Sequence, residues 1–192
     1  MDRLKPFRIS RRDMKWFTSV LTVAMFVVIS IPLPTIQAQT DDVHISEILV
    51  SPNNEDYGGT DWNGDGNFGA DSDQFVEIFN PHDVEMDLSG WVIEHTNTKG
   101  AKNCTLSPQT IIQPQEYLVL YRSETLIEFN FFDGDTVHLF NSQGALIDTV
   151  SYPGDDSDWD TPYGINQSGE WSKLANITPT PGGPNHDSWV GV

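Results

Sequence analysis

Asp133 to Tyr152 reads D-G-D-T-V-H-L-F-N-S-Q-G-A-L-I-D-T-V-S-Y. Two runs rich in β-branched, aromatic and aliphatic residues, Thr136 to Phe140 and Ala145 to Tyr152, flank the turn Asn141-Ser142-Gln143-Gly144, and Asp133-Gly134-Asp135 turns the chain into the first run. That arrangement specifies an antiparallel hairpin. Val43 to Val50 (V-H-I-S-E-I-L-V) is apolar at Val43, Ile45 and Ile48 with one break in strict alternation, and Ser51-Pro52-Asn53-Asn54 stops it. Phe75-Val76-Glu77-Ile78-Phe79 alternates before Asn80-Pro81. Met86 to Glu94 reads as another strand, in which Gly90 before Trp91 marks a bulge or close backbone approach. After a polar span around Asn97 to Asn103, the segments Thr105-Leu106, Thr110-Ile111-Ile112 and Glu116 to Tyr121 have strand composition. From Pro153 onward the chain reads as loop, and no window beyond the N-terminal segment carries a helical period. The spacing predicts one all-β domain of about seven to nine short strands, arranged as a sandwich.

Between the first two strands lies an acidic loop, D-W-N-G-D-G-N-F-G-A-D-S-D from Asp61 to Asp73. Asp61, Asn63 and Asp65 sit two apart with Gly66 behind them, a spacing that wraps short oxygen side chains around one hard cation while glycine permits the sharp turn. Ser72 stands where an EF-hand has its closing glutamate. Further ligands would therefore come from Asp71, Asp73, the Asn67 carbonyl or water, with Glu47 and Glu77 as additional candidates. The expected cofactor is a structural Ca²⁺. The competing reading is a solvated turn of Asn, Gly and Asp.

Arg3, Lys5, Arg8, Arg11, Arg12 and Lys15 precede an apolar run from Trp16 to Leu33 and the small-residue end Ile36-Gln37-Ala38. That layout predicts an export signal over residues 1–38, or an uncleaved N-terminal anchor, with the domain outside in either case. The expected location is the periplasm, the cell surface or the extracellular space. Ser10-Arg11-Arg12-Asp13-Met14 partly matches a twin-arginine signal. Those first 38 residues hold six of the ten basic residues and two of the 28 acidic ones, leaving 26 Asp and Glu against four Lys and Arg. A surface so acidic repels phosphate backbones, which makes nucleic acid a poor partner. Its self-repulsion gives a bound cation a structural motive. Cys104 is the single cysteine, so no internal disulfide can form.

Catalysis needs a nucleophile, base or metal-bound water held together. His44, His82, His95, His138 and His186 are scattered without paired metal spacing, Cys104 lacks a hydrolase signature, and no G-x-S-x-G occurs. Glu47 and Glu77 could pair as acid and base, although two polar positions on a half-exposed sheet face is the simpler expectation. Trp62, Phe68, Trp159, Tyr163, Trp171 and Trp189 fall in predicted loops, and Trp62, Trp159 and Trp171 are the candidates for stacking on a sugar or anchoring a protein.

Several of these pieces occur together, and in order, in the lamin tail domain family: Ile45-Ser46-Glu47-Ile48, Asp61 to Gly66, Phe75 to Ile78 with Asn80, Leu88-Ser89-Gly90-Trp91, Glu116 to Leu120, Gly134 to Leu139, Gly144 to Asp148, and Pro179-Thr180-Pro181-Gly182-Gly183-Pro184-Asn185. Residues 43–185 resemble a stand-alone, exported bacterial member, followed by a short tail over residues 186–192. The resemblance implies an immunoglobulin-like β-sandwich that is non-enzymatic. Many relatives have Asn at Ser46 and Glu at Gln74, which implies a weaker polar contact between the first two strands here and one fewer cation ligand. The animal lamins' rod and basic localisation segment have no counterpart, so filament and chromatin roles do not carry over. The function expected is an exported binding or adhesion module for a protein or polysaccharide, stabilised by calcium. The alternatives are an accessory module or metal-dependent hydrolase acting on phosphodiesters or polysaccharides, and a structural envelope protein without a ligand.

Overall fold

A computed structural model describes residues 42–154, 158–175 and 177–185. The proposed signal and the tail over residues 186–192, with His186 and Trp189, lie outside the described residues.

The strands are β1 (His44–Leu49), β2 (Phe75–Phe79), β3 (Met86–Asp87), β4 (Val92–Asn97), β5 (Gly100–Thr105), β6 (Ile111–Ile112), β7 (Tyr117–Tyr121), β8 (Gly134–Phe140), β9 (Leu146–Pro153), β10 (Tyr163–Ile165) and β11 (Trp171–Lys173). One sheet has the order β11-β10-β1-β2-β7, a second β5-β4-β8-β9, and β3 and β6 form a small ribbon. Every recorded pairing is antiparallel. Ile45, Ile48, Val76 and Ile78 of the first sheet meet Ile93, Val137 and Leu139 of the second in one apolar cluster. Each such side chain taken fully out of water stabilises the sandwich by roughly 1.5–3 kcal/mol.

The break in alternation along β1 is a bulge, with the register against β2 shifting between Ile45 and Glu47. The Ile45 N–H is taken by the Asp148 carboxylate of β9 at 2.8 Å, a bond from one sheet to the other. The Asp133–Tyr152 hairpin forms as β8 and β9, closed through Asn141, whose N–H and side-chain oxygen both engage Ala145.

Four sequence expectations fail, each for a physical reason. Met86 to Glu94 is not one strand, because Gly90 takes a left-handed φ of +75° and the Trp91 N–H bonds back to the Leu88 carbonyl at 3.0 Å, turning the chain between β3 and β4. The polar span before Cys104 is strand β5, an exposed edge whose sequence needs no apolar face. The segment after Pro153 is not merely loop, since β10 pairs with β1 and β11 with β10. Two single helical turns, α1 (Ala70–Asp73) and α2 (Arg122–Thr125), are too short for periodicity to reveal. Arg122 joins them by donating to the Ala70 carbonyl and pairing with Asp71 at 2.9 Å.

Both faces of the first sheet are covered, which is why β1 is buried at all six positions. On the outer face Phe75 stacks edge-on to Tyr121 and Phe79 lies against Tyr117, with ring centroids 5.7 and 4.6 Å apart. The acidic loop covers one end of this face, where the Tyr121 hydroxyl donates to the Trp62 carbonyl at 2.7 Å. The closing segment Thr180–Asn185 covers the middle.

Candidate functional site

The acidic loop is organised by its own backbone. The Asp61 carboxylate accepts N–H groups of Gly64, Asp65 and Gly66 at 2.8 to 3.1 Å. Asp65 accepts from the Asn67 N–H and the Ser72 hydroxyl, each at 2.8 Å, and Asn63 Oδ1 accepts the Asp65 N–H. Gly66 has φ +84°, the turn geometry expected of it. Hydrogen bonds, the Asn67 N–H foremost, hold the Asp65 carboxyl below its usual range. Asp73 is fully buried and takes N–H groups of Trp62, Asn63 and Gly69, while burial pushes its pKa up against them.

Of the expected metal ligands, Asp61, Asn63 and Asp65 are therefore gathered on one accessible turn, where Asp61 Oδ2 and Asn63 Oδ1 accept one N–H each and keep a further lone pair, while both Asp65 oxygens already accept two hydrogen bonds. Asp71 is turned away into its ion pair with Arg122, and Asp73 works as an internal cap. Among the described residues no group of three or more His, Cys, Asp or Glu is placed to hold a metal. A cation on this turn fits only a two-carboxylate set completed by Asn63, carbonyls and water.

Glu47 and Glu77 lie elsewhere, as direct cross-strand partners on the outer face of the first sheet. They do not sit on a half-exposed face, since both are fully buried under the closing segment. The Thr180 N–H and hydroxyl donate to Glu47, the Gly182 N–H donates to Glu77 at 2.7 Å, and the Asn185 amide donates to the Ser46 and Ile165 carbonyls. Gly164 makes room, because a Cβ there would stand 2.8 Å from the Asn185 side-chain nitrogen. Ser46 keeps a polar contact between the first two strands, its hydroxyl donating to Glu77 at 2.6 Å. Desolvation raises Glu47 to about 7 and Glu77 to about 8, in each case against the hydrogen bonds they accept. The pair anchors the closing segment rather than extending the acidic loop.

Gln74 is equally specific. Its amide nitrogen donates to the Val50 and Phe129 carbonyls at 2.6 and 2.8 Å and its oxygen accepts the Phe129 N–H. An ionised Glu has no donor for those two carbonyls, so Gln at this position is a structural choice rather than a lost ligand.

The aromatic candidates divide. Trp62 is half-buried with its indole N–H on Asp160 at 3.2 Å, and Trp171 lies on β11 donating to the Ser151 carbonyl at 2.9 Å. Tyr163 is buried on β10. Trp159 alone of the three chosen indoles is well exposed, at 48%, and it is joined by Tyr57 at 77% and Phe132 at 62%. Tyr57 and Trp159 line one cleft with Asn53 and Asn54, and Phe131 lies between Trp159 and Phe132 with centroids 6.1 and 4.1 Å away. Sequence reading missed Tyr57 and the Phe131-Phe132 pair, although two adjacent aromatics beside the turn at Asp133 were a visible signal. Cys104 is half-buried on β5, and burial raises its thiol pKa.

The family model described as Lamin Tail Domain matches residues 36–154, more than half of the 192-residue chain. No curated protein matches the chain. The match spans β1 to β9, whereas β10, β11 and the closing segment lie beyond it.

Proposed function

The chain belongs to the lamin tail domain family, and from that premise we propose that it is a non-enzymatic binding module acting outside the cell. The observation that carries the reading is the strip of exposed rings Tyr57, Trp159 and Phe132, with the half-buried Phe131 between the last two, on a strongly acidic sandwich. Such rings expose apolar area that a monomer gains nothing by showing to water, and they suit the faces of sugars or an apolar side chain of a partner. The partner is a polysaccharide or protein at the cell surface. Export is supported by the layout of the first 38 residues.

Calcium belongs to the same reading as a weak loop ligand on Asp61, Asn63 and Asp65. A site with two carboxylates falls in the range of extracellular modules, with a Kd of about 10⁻⁴ to 10⁻³ M. The test combines stability and binding. Millimolar Ca²⁺ is expected to raise the melting temperature over EDTA while Mg²⁺ does not, with the increment lost in Asp65→Ala, since a ligand of the native state alone stabilises by mass action. Trp159→Ala is expected to weaken binding to an immobilised polysaccharide panel about tenfold or more without changing the melt. Equal melts in Ca²⁺ and EDTA would remove the cation, and equal binding by Trp159→Ala would remove the aromatic strip.

A further inference from the structure

One cleft in the described residues is lined by a side chain that the fold leaves without a hydrogen-bond partner. It encloses about 290 Å³ beside the β4–β5 hairpin and is lined by His95, Lys99, Lys102, Phe129, Phe131 and Phe132 among others. That volume is at the small end of ligand sites, which run from about 300 to 1,000 Å³.

Three observations converge on it. His95, on β4, is 5% exposed, and neither ring nitrogen has a hydrogen-bond partner. A polar atom buried without a partner forfeits its bonds to water and gains none in return, so a native structure that keeps one calls for an explanation. Behind the ring stands Asp135, its Oδ1 3.3 Å from His95 Nδ1 but without the alignment of a formed hydrogen bond. The other Asp135 oxygen accepts the Asn130 N–H at 2.6 Å and the Tyr152 hydroxyl at 2.9 Å. Burial pulls the Asp135 pKa up, but these donors and His95 hold it below the usual range, so a carboxylate stands against the Nδ1 edge of the ring.

The second observation is charge. Four basic residues follow residue 38. Arg122 pairs with Asp71 and Glu128, and Lys173 with Asp158. Lys99 and Lys102 make no ion pair among the described residues, and both line this cleft. The Glu128 carboxylate on the same rim is offset by Arg122 at 3.6 Å. The third observation is the Phe131-Phe132 pair, which continues the exposed aromatic strip into the cleft.

We propose that this cleft binds the acidic end of a glycan, a single uronic acid residue whose carboxylate is met by Lys99 and Lys102 and whose ring lies on Phe131 and Phe132, over the buried His95. This deepens, and rests on, the binding-module reading. A long polyanion is disfavoured, because the surrounding surface is acidic and a second and third charge would meet it within a Debye length of about 8 Å. One terminal carboxylate feels mainly the two lysines.

The test is titration calorimetry of the purified protein with a disaccharide ending in a uronic acid, its neutral counterpart, and inorganic phosphate, alongside imidazole ¹⁵N chemical shifts. Binding of the uronate about tenfold or more tighter than the neutral sugar, a His95 ring shift on uronate addition, and loss of that preference in Lys99→Glu/Lys102→Glu with an unchanged melt would support the proposal. Equal binding of acidic and neutral sugars, a preference that survives the double variant, or phosphate binding as tight as the uronate would overturn it while leaving the module reading intact. Trp159→Ala separates the two: if no sugar is bound by the native protein and the strip variant alters no binding on the polysaccharide panel, the module reading fails with it.

Discussion

A chain ending at Gly154, where the family match stops, is expected not to fold, whereas one ending at Asn185 is expected to melt cooperatively like the full chain. The reason lies in β1, which sits in the middle of its sheet with β10 on one side and β2 on the other. Removing everything after residue 154 makes β1 an edge with unpaired backbone groups. It also strips Tyr163, Leu174 and Ile177, each buried in the complete domain, and uncovers the outer face over Glu47 and Glu77. Three large side chains at roughly 1.5–3 kcal/mol each already approach the total stability of an ordinary domain, about 5–15 kcal/mol, before the lost hydrogen bonds are counted. Circular dichroism and size exclusion would decide it. A shortened chain that stays monomeric and melts within a few degrees of the full chain would show that β10, β11 and the closing segment are accessories rather than part of the core.

The limits of sequence reading here have the same origin as that prediction. The strands it found, β1, β2, β7, β8 and β9, alternate or are densely apolar because one face or both must be buried. β10 and β11 are three residues each, held by register against β1 and by the segment that follows, and a three-residue stretch such as Tyr163-Gly164-Ile165 carries too little pattern to be told from loop. β5 was missed for the opposite reason: an exposed edge tolerates Gly100-Ala101-Lys102-Asn103, and its strand character comes from pairing with β4.

The candidate sites divide along the same line. The Asp61–Gly66 turn was legible because its Asp, Asn and Asp spacing is local, and the loop does bring Asp61, Asn63 and Asp65 together. What became of Asp71 and Asp73 depended on Arg122 and on N–H groups that no local spacing encodes. His95 and Asp135 lie 40 residues apart in sequence, and only the β4–β8 pairing makes them neighbours. Nothing in either local sequence marks the pair.

The second large effect expected is a fall in stability as pH rises through the neutral range, traced to Glu47 and Glu77. Both carboxyls are raised in the folded chain, to about 7 and about 8 from 4.5, chiefly by burial and for Glu77 also by the charge of Glu47. Below pH 4.5 both are protonated folded or unfolded, so their contribution to stability is fully present. As pH rises past 4.5 the unfolded chain ionises first and is favoured, and the loss continues until the folded carboxyls titrate near 7 and 8, after which it levels off. At about 1.4 kcal/mol per pH unit per group, over about 2.5 units for Glu47 and about 3.5 for Glu77, the pair is expected to remove on the order of 8 kcal/mol between pH 4.5 and 8. Asp65 and Asp135, whose pKa values are lowered, act in the opposite sense and lose their contribution only in stronger acid, so the optimum should fall near pH 5. General repulsion among the surface acids would slope the same way as the glutamates, and salt tells them apart. Exposed charges are screened with a Debye length of about 3 Å at 1 M, whereas a fully buried pair is screened far less. Urea melts from pH 4.5 to 9 at low and high salt should therefore keep most of the slope, and Glu47→Gln/Glu77→Gln should flatten it. If high salt alone abolishes the slope, or the double variant retains it, the acid pair beneath the closing segment is not its source.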